Sequence, residues 1–126
     1  MNTTEFMKEA YGVLYEIETG LRQYIELTMK TTYGVGWFIK APLTMKYKPY
    51  TKHFDNFDYH ELISMLRAYS CFDDIPKGVY SQLLMTVPTR NKIAHCKIVN
   101  EAEKVELQDT YKLLLKYISL PDEIIS

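Results

Sequence analysis

The stretch VPTRNKIAHCKIV, residues 87–99, places Arg90, Asn91 and His95 together after a proline, inside an otherwise apolar, helix-like run. These residue types suffice for one chemistry without a metal, the cleavage of RNA by its own ribose 2′-OH. Imidazole titrates close enough to neutrality to take the hydroxyl proton or to protonate the leaving oxygen. Guanidinium stays charged and offers phosphate a fixed fork of donors. An Asn amide can orient an imidazole or donate to phosphate. On a regular helix Asn91 and His95 are i and i+4 and share a face. Arg90 and His95 are five apart, about 140° around the helix, so one straight helix does not join them. They converge if the Pro88 region distorts the helix start, or if a second chain supplies the partner group across a two-fold axis. The purely structural alternative is a turn after the proline and a histidine capping a helix end.

The elements that must position these residues read as helices. Residues 3–31 carry Phe6, Ala10, Val13, Leu14, Ile17, Leu21, Tyr24, Ile25 and Thr28 at spacings of three and four, the pattern of a long helix with one buried stripe. Thr3 or Thr4 is the expected cap, Gly12 and Gly20 are expected to admit a neighbouring helix, and Gly34 and Gly36 end the element. Residues 37–57, with Pro42 and Pro49, lack a sustained helical period and are expected as an irregular loop, with at most a helical turn at Trp37. Asp58 with Glu61 is a capping box for the next helix, which buries Leu62, Ile63, Leu66 and Tyr69. Pro76 opens another with Val79, Leu83, Leu84 and Val87 on one face, and Pro88 should restart it, leaving residues 89–96 as a short piece. Asn100 with Glu103 starts the last helix, which carries Val105, Leu107, Tyr111, Leu114, Leu115 and Ile118, and Leu120-Pro121 stops it. No segment alternates as a strand. The fold class is all-α, a bundle of four or five helices in a single domain over residues 1–126.

RNKIAHCKI resembles the Arg-polar-x-x-x-His signature of HEPN domains, small helical modules of prokaryotic toxin–antitoxin, abortive-infection and other RNA-targeting defence systems. The likeness is centred on residues 88–98. It extends more loosely to VLYEIETGLRQYIELTMKTTYGVGWF, similar to the long opening helix and Gly-x-x-Trp ending of some HEPN branches. The resemblance implies a HEPN-like bundle, a homodimer, and a metal-independent endoribonuclease acting as a toxin or antiviral effector at the dimer cleft. Arg90 would then be the motif Arg, Asn91 the polar residue after it and His95 the motif His. The non-catalytic alternative is a HEPN-like module that binds RNA, an antitoxin or another defence-system protein. One departure is informative: the branch paired with nucleotidyltransferase antitoxins has a modifiable Tyr two residues after the His, and here that position is Lys97.

Other clusters carry weaker signals. KAPLTMKYKPYTKHF interleaves Lys46, Lys48 and Lys52 with Tyr47 and Tyr50, and such a loop can neutralise phosphates and stack unpaired bases of RNA. It can equally be a solvated loop whose tyrosines pack on the bundle. His53, His60, Cys71, His95 and Cys96 could ligate zinc, yet their spacings match no finger, ribbon or HExxH pattern, so no metal and no cofactor is expected. Cys71 and Cys96 are expected as small buried residues. Glu16 and Glu18 lie beside the stripe of the first helix, where a carboxylate could buttress Arg90. Tyr11, Tyr15 and Tyr24 fit core or interface positions.

Composition sets the outer limits. The 126 residues are 47% hydrophobic and 25% charged, ordinary for a folded domain long enough to bury a core unaided. A net charge of −1 means that nucleic-acid binding needs a local patch. Two cysteines without a framework, no signal-peptide pattern and no long apolar run lead to an expected reducing, cytoplasmic setting with no membrane contact.

Overall fold

The computed structural model describes residues 2–118 as six α-helices, with no strand among the described residues. They are α1 (Thr3–Tyr33), α2 (Trp37–Met45), α3 (Tyr59–Ala68), α4 (Lys77–Met85), α5 (Val87–Ala94) and α6 (Glu101–Tyr117), with 3₁₀ turns at Phe54–Asn56 and Ser70–Phe72. The all-α bundle expected from the periodicity is the fold. The proposed stop at Leu120-Pro121 lies outside the described residues.

α1 is the spine. Its stripe Ala10, Leu14, Ile17, Leu21, Ile25 and Met29 is buried, and α2, α3 and α6 all pack against it. Removing an apolar side chain of this size from water is worth roughly 1.5–3 kcal/mol. Asn2, rather than Thr3 or Thr4, caps the helix, its Oδ1 accepting from the Glu5 N–H at 2.9 Å. Gly34 ends it with φ +91°, a conformation that only glycine adopts cheaply. Gly20 is buried as expected, whereas Gly12 faces open space and admits no neighbour. At the same end as the α1 start, Asn2, Thr3 and Phe6 share a cleft with Val99 and Glu101. There Lys104 of α6 pairs with Glu9 and lies 4.7 Å over the Phe6 ring.

The segment expected as a loop contains α2. Pro42 sits inside that helix, where its missing N–H removes one hydrogen bond. Only nine residues are involved, and Trp37, Ala41 and Pro42 gain burial against α1. Their spacing is apolar at i, i+4 and i+5, a signal that the proline masked. The chain is irregular only from Lys46 to His53 and at Phe57–Asp58.

Both capping boxes form. The Glu61 carboxylate accepts from Asp58 N–H and that of Glu103 from Asn100 N–H, each at 2.8 Å. Pro88 restarts the chain as expected: α4 ends at Met85, Thr86 intervenes, and the proline occupies the first turn of α5, where no N–H is required.

Candidate functional site

α5 is short, and four of its residues settle its orientation. Thr89 is buried and Ile93 partly so, packed on the core. Arg90 Nε lies 3.8 Å from Glu18 Oε1 on α1. Lys92 Nζ lies 2.7 Å from Glu103 Oε2 on α6. With about 100° per residue, Asn91 falls between the two anchored cations and opposite Thr89 and Ile93. His95 follows on the same side as the last-turn cap, and both it and Asn91 are exposed. Their side chains have no hydrogen-bond or ionic partner among the described residues. The helix is therefore pinned on both flanks and presents these two side chains outward.

The turn after α5 fixes the backbone at His95. Cys96 N–H donates to Ile93 O at 3.0 Å and Lys97 N–H to Lys92 O at 2.7 Å, the paired bonds of a Schellman ending. Cys96 takes the left-handed position with φ +58°, where glycine is usual and a β-carbon costs about 1–2 kcal/mol. Contrary to expectation, Cys96 is exposed and Cys71 only half-buried. Cys71 Sγ contacts Met29 Sδ at 3.8 Å.

Behind Arg90 lies a continuous polar line. Glu18 is also 3.6 Å from Arg22, whose guanidinium donates to Phe54 O at 2.9 Å and Phe57 O at 3.0 Å. Tyr59, at the start of α3, is buried, and its hydroxyl bonds Thr86 Oγ1 at 2.9 Å. Burial pushes the Tyr59 phenol up to about 12, with the Glu18 charge adding to the rise and Arg90 opposing it. The phenol is thus a neutral, structural group close to the motif. Of Glu16 and Glu18, either of which could have buttressed Arg90 or simply been solvated, Glu18 is the one that lies beside it. Nothing in the sequence announces Arg22, because its partners are backbone carbonyls. Tyr59 has the weak signal of an aromatic first residue behind a capping Asp.

Elsewhere the expected site residues are dispersed. Tyr47 donates its hydroxyl to Ala68 O at 2.7 Å, and the Tyr50 and Tyr69 hydroxyls bond each other at 2.5 Å. Lys52 lies 2.6 Å from Glu61 and 3.7 Å from Asp58. Of the loop residues considered for RNA, Lys46 and Lys48 are exposed and have no ionic partner among the described residues. Among the histidines and cysteines considered for zinc, His60 alone joins a group of three potential ligands, with Asp58 and Glu61 within 4.8 Å. Lys52 already occupies both carboxylates of that group. Tyr24 is partly buried on Phe72 with ring centroids 5.9 Å apart, while Tyr11 and Tyr15 are exposed and 6.3 Å apart. No helix among the described residues is long and apolar enough to cross a membrane.

No curated protein and no solved structure gives a significant match to the chain. A family model described as Swt1-like HEPN matches residues 13–119, from the third turn of α1 past the end of α6 and including the whole motif helix. The chain therefore belongs to the Swt1-like HEPN family, a membership that supports an RNA-related module in general.

Proposed function

We propose that the protein is a metal-independent endoribonuclease whose site is shared between two copies, working as a toxin or antiviral defence effector in the cytoplasm. The observation that carries this reading is the posture of α5. Arg90 and Lys92 are anchored to α1 and α6, while the Asn91 and His95 side chains face outward without partners among the described residues. A satisfied structural histidine would be bonded; the His95 side chain has no such partner among the described residues, while its backbone is held by the helix end.

In the proposed reaction the ribose 2′-oxygen attacks the adjacent phosphorus and the bond from phosphorus to O5′ breaks. One His95 imidazole takes the 2′-OH proton, and the partner's His95 gives a proton to the departing O5′. Arg90, charged and already oriented by Glu18, stabilises the extra negative charge on the phosphoryl oxygens. Asn91 steadies the imidazole or donates to phosphate. The roughly 140° between Arg90 and His95 in one chain favours a site completed across a two-fold axis. Exposed Tyr11 and Tyr15 continue the Glu18 face of α1 by helical spacing and offer that second copy apolar surface.

The test is cleavage of structured and unstructured RNA by wild type and His95→Ala, with EDTA present. Expected are products ending in 2′,3′-cyclic phosphate or 3′-phosphate for wild type, none for the variant, and a dimer by sedimentation for both. Equal activity of the two proteins, or no cleavage of any RNA by either, overturns the catalytic reading in favour of a binding module. Activity lost on chelation and restored by zinc or magnesium overturns the metal-free mechanism.

A further inference from the structure

Among the described residues, the most exposed large apolar side chains lie on α2 and in the turn before it, far in sequence from the motif. Val35 is 92% exposed, Ile39 76% and Leu43 73%. Ile39 and Leu43, at i and i+4, share the outer side of a helix whose other side buries Trp37 and Ala41, and Val35 stands in the turn just before that helix. Scattered surface aliphatics need no explanation, but an aligned row does. The row borders a concavity. Ile39 and Leu43, with Phe38, Pro42, Tyr47 and Tyr50, line a cleft of about 220 Å³. Tyr47 and Tyr50 also wall a second cleft of about 270 Å³ that reaches Met65 on α3.

Lysines predominate along this segment, and Glu61, which lines the second cleft, is ion-paired with Lys52. Residues 27–54 contain five lysines and no Asp or Glu, although the whole chain has 16 acidic residues against 15 basic ones. Lys30 is paired with Glu26, and Lys52 with Glu61 and Asp58. Lys40, Lys46 and Lys48 flank the stripe exposed and without ionic partners among the described residues. The surface thus combines an apolar row, adjoining clefts and a ring of free cations.

We infer that α2 and the loop after it form the docking site for an acidic amphipathic helix of a partner protein. Two or three apolar side chains of that helix would enter the clefts beside Ile39, Leu43 and Tyr47, the usual manner of a helix lying in a groove. Its carboxylates would meet Lys40, Lys46 and Lys48. RNA fits this surface less well. Aliphatic side chains do not stack on bases, and the Tyr47 and Tyr50 hydroxyls that could read a base are bonded internally. A lipid surface fits less well too, because a membrane-lying helix presents a long convex apolar face. Here the face is nine residues long beside concave clefts. The site is independent of the nuclease reading, since none of its residues belongs to α5.

The test uses the full 126-residue chain and three fluorescein-labelled 18-residue peptides. One is a leucine–glutamate amphipathic helix, the second replaces each Glu by Lys, and the third scrambles the first. The acidic helix should bind with micromolar affinity, shift backbone amide resonances chiefly within residues 35–50, and outcompete the other two at least tenfold. Ile39→Glu with Leu43→Glu, both fully tolerable at exposed positions, should weaken it at least tenfold. Reversal of Lys40, Lys46 and Lys48 to Glu should transfer preference to the basic peptide. Equal binding of acidic and basic peptides, or none at millimolar concentration, overturns the inference. So does tighter binding of single-stranded poly(U), of phosphatidylserine vesicles, or of a second copy of the chain, if the Ile39/Leu43 substitutions abolish it.

Discussion

At the aromatic end of the bundle, Tyr47 and Tyr50 commit their hydroxyls to Ala68 O and Tyr69, and Arg22 fills the carbonyls of Phe54 and Phe57. On α5 the flanking cations are engaged while the Asn91 and His95 side chains face solvent without a bonding partner among the described residues. The two regions hold similar residue types, and the difference lies in what their polar atoms do. Around Phe54 the buried polar groups serve the fold, with no buried side-chain N or O unpaired among the described residues, because an unpaired buried group there would cost roughly 1–3 kcal/mol. On α5 the polar groups are oriented without being satisfied. Stability and function should therefore separate cleanly between these regions under mutation.

The largest separation is expected at the motif. His95→Ala and Arg90→Ala should each reduce RNA cleavage by about 10²–10⁴-fold, in line with the loss of a proton-transfer group or a transition-state charge. Because the His95 side chain is exposed and makes no hydrogen bond or ion pair among the described residues, its removal should leave stability within about 0.5 kcal/mol of wild type. Arg90→Lys should rescue poorly, as an ammonium cannot reproduce the bidentate fork. Asn91→Ala should lose least. A His95→Ala protein that unfolds easily would show that His95 belongs with the structural groups after all.

The aromatic end should give the reverse outcome. Phe54 is buried between Trp37 and Phe57, with ring centroids 5.1 and 5.4 Å away. Phe54→Ala should cost about 3–5 kcal/mol in urea unfolding. Cleavage per folded molecule should change little. If cleavage fell in step with the motif variants while the protein stayed folded, the Phe54–Arg22–Glu18–Arg90 line would couple the two ends more strongly than packing alone implies.

How much of this contrast the sequence disclosed depended on the kind of bond. Helices with clean periodicity and a capping box, such as those opened by Asp58 and Asn100, were legible because the signal lies within a few residues. Pro88 likewise marked the start of α5. The helix at Trp37–Met45 was hidden, since a buried proline in a nine-residue helix costs less than local rules assume. Glu18 as a neighbour of Arg90 was legible as one of two candidates. Its selection over Glu16 depended on how α5 docks, which is a tertiary matter. Arg22 and Cys96 could not be foreseen: one bonds to carbonyls that every residue has, and the other occupies a left-handed position where glycine is expected.

Cys96 offers an intermediate effect that sharpens the account of α5. Its φ of +58° places a β-carbon where the Schellman ending favours none. Cys96→Gly should relieve that strain, offset in part by the greater freedom of glycine in the unfolded chain. The expected net gain is about 0.5–1 kcal/mol, read as a higher midpoint in thermal unfolding. If the turn only positions His95, cleavage should persist in this variant. A stabilised protein with reduced activity would instead assign the strained cysteine a part in aiming the imidazole.

The smallest effect is a pH dependence on the other flank of α5. The Lys92 ammonium beside Glu103, aided by the Asn100 N–H, holds the Glu103 carboxyl below its usual range. A folded pKa below the unfolded one means that the contribution is complete at neutral pH. It declines as pH falls through the ordinary glutamate value of about 4.3 and is lost once pH passes the folded value. Glu103→Gln keeps an acceptor for the cap and removes only the charge. Solvent around half-exposed Lys92 limits the ion pair to a few tenths of a kcal/mol. The variant should therefore match wild type closely below pH 3 and fall slightly behind it at pH 7, as measured by urea unfolding across that range. Equal stabilities at both pH values would show that Lys92 does not anchor this flank, leaving Thr89, Ile93 and the Arg90–Glu18 pair to hold the motif helix.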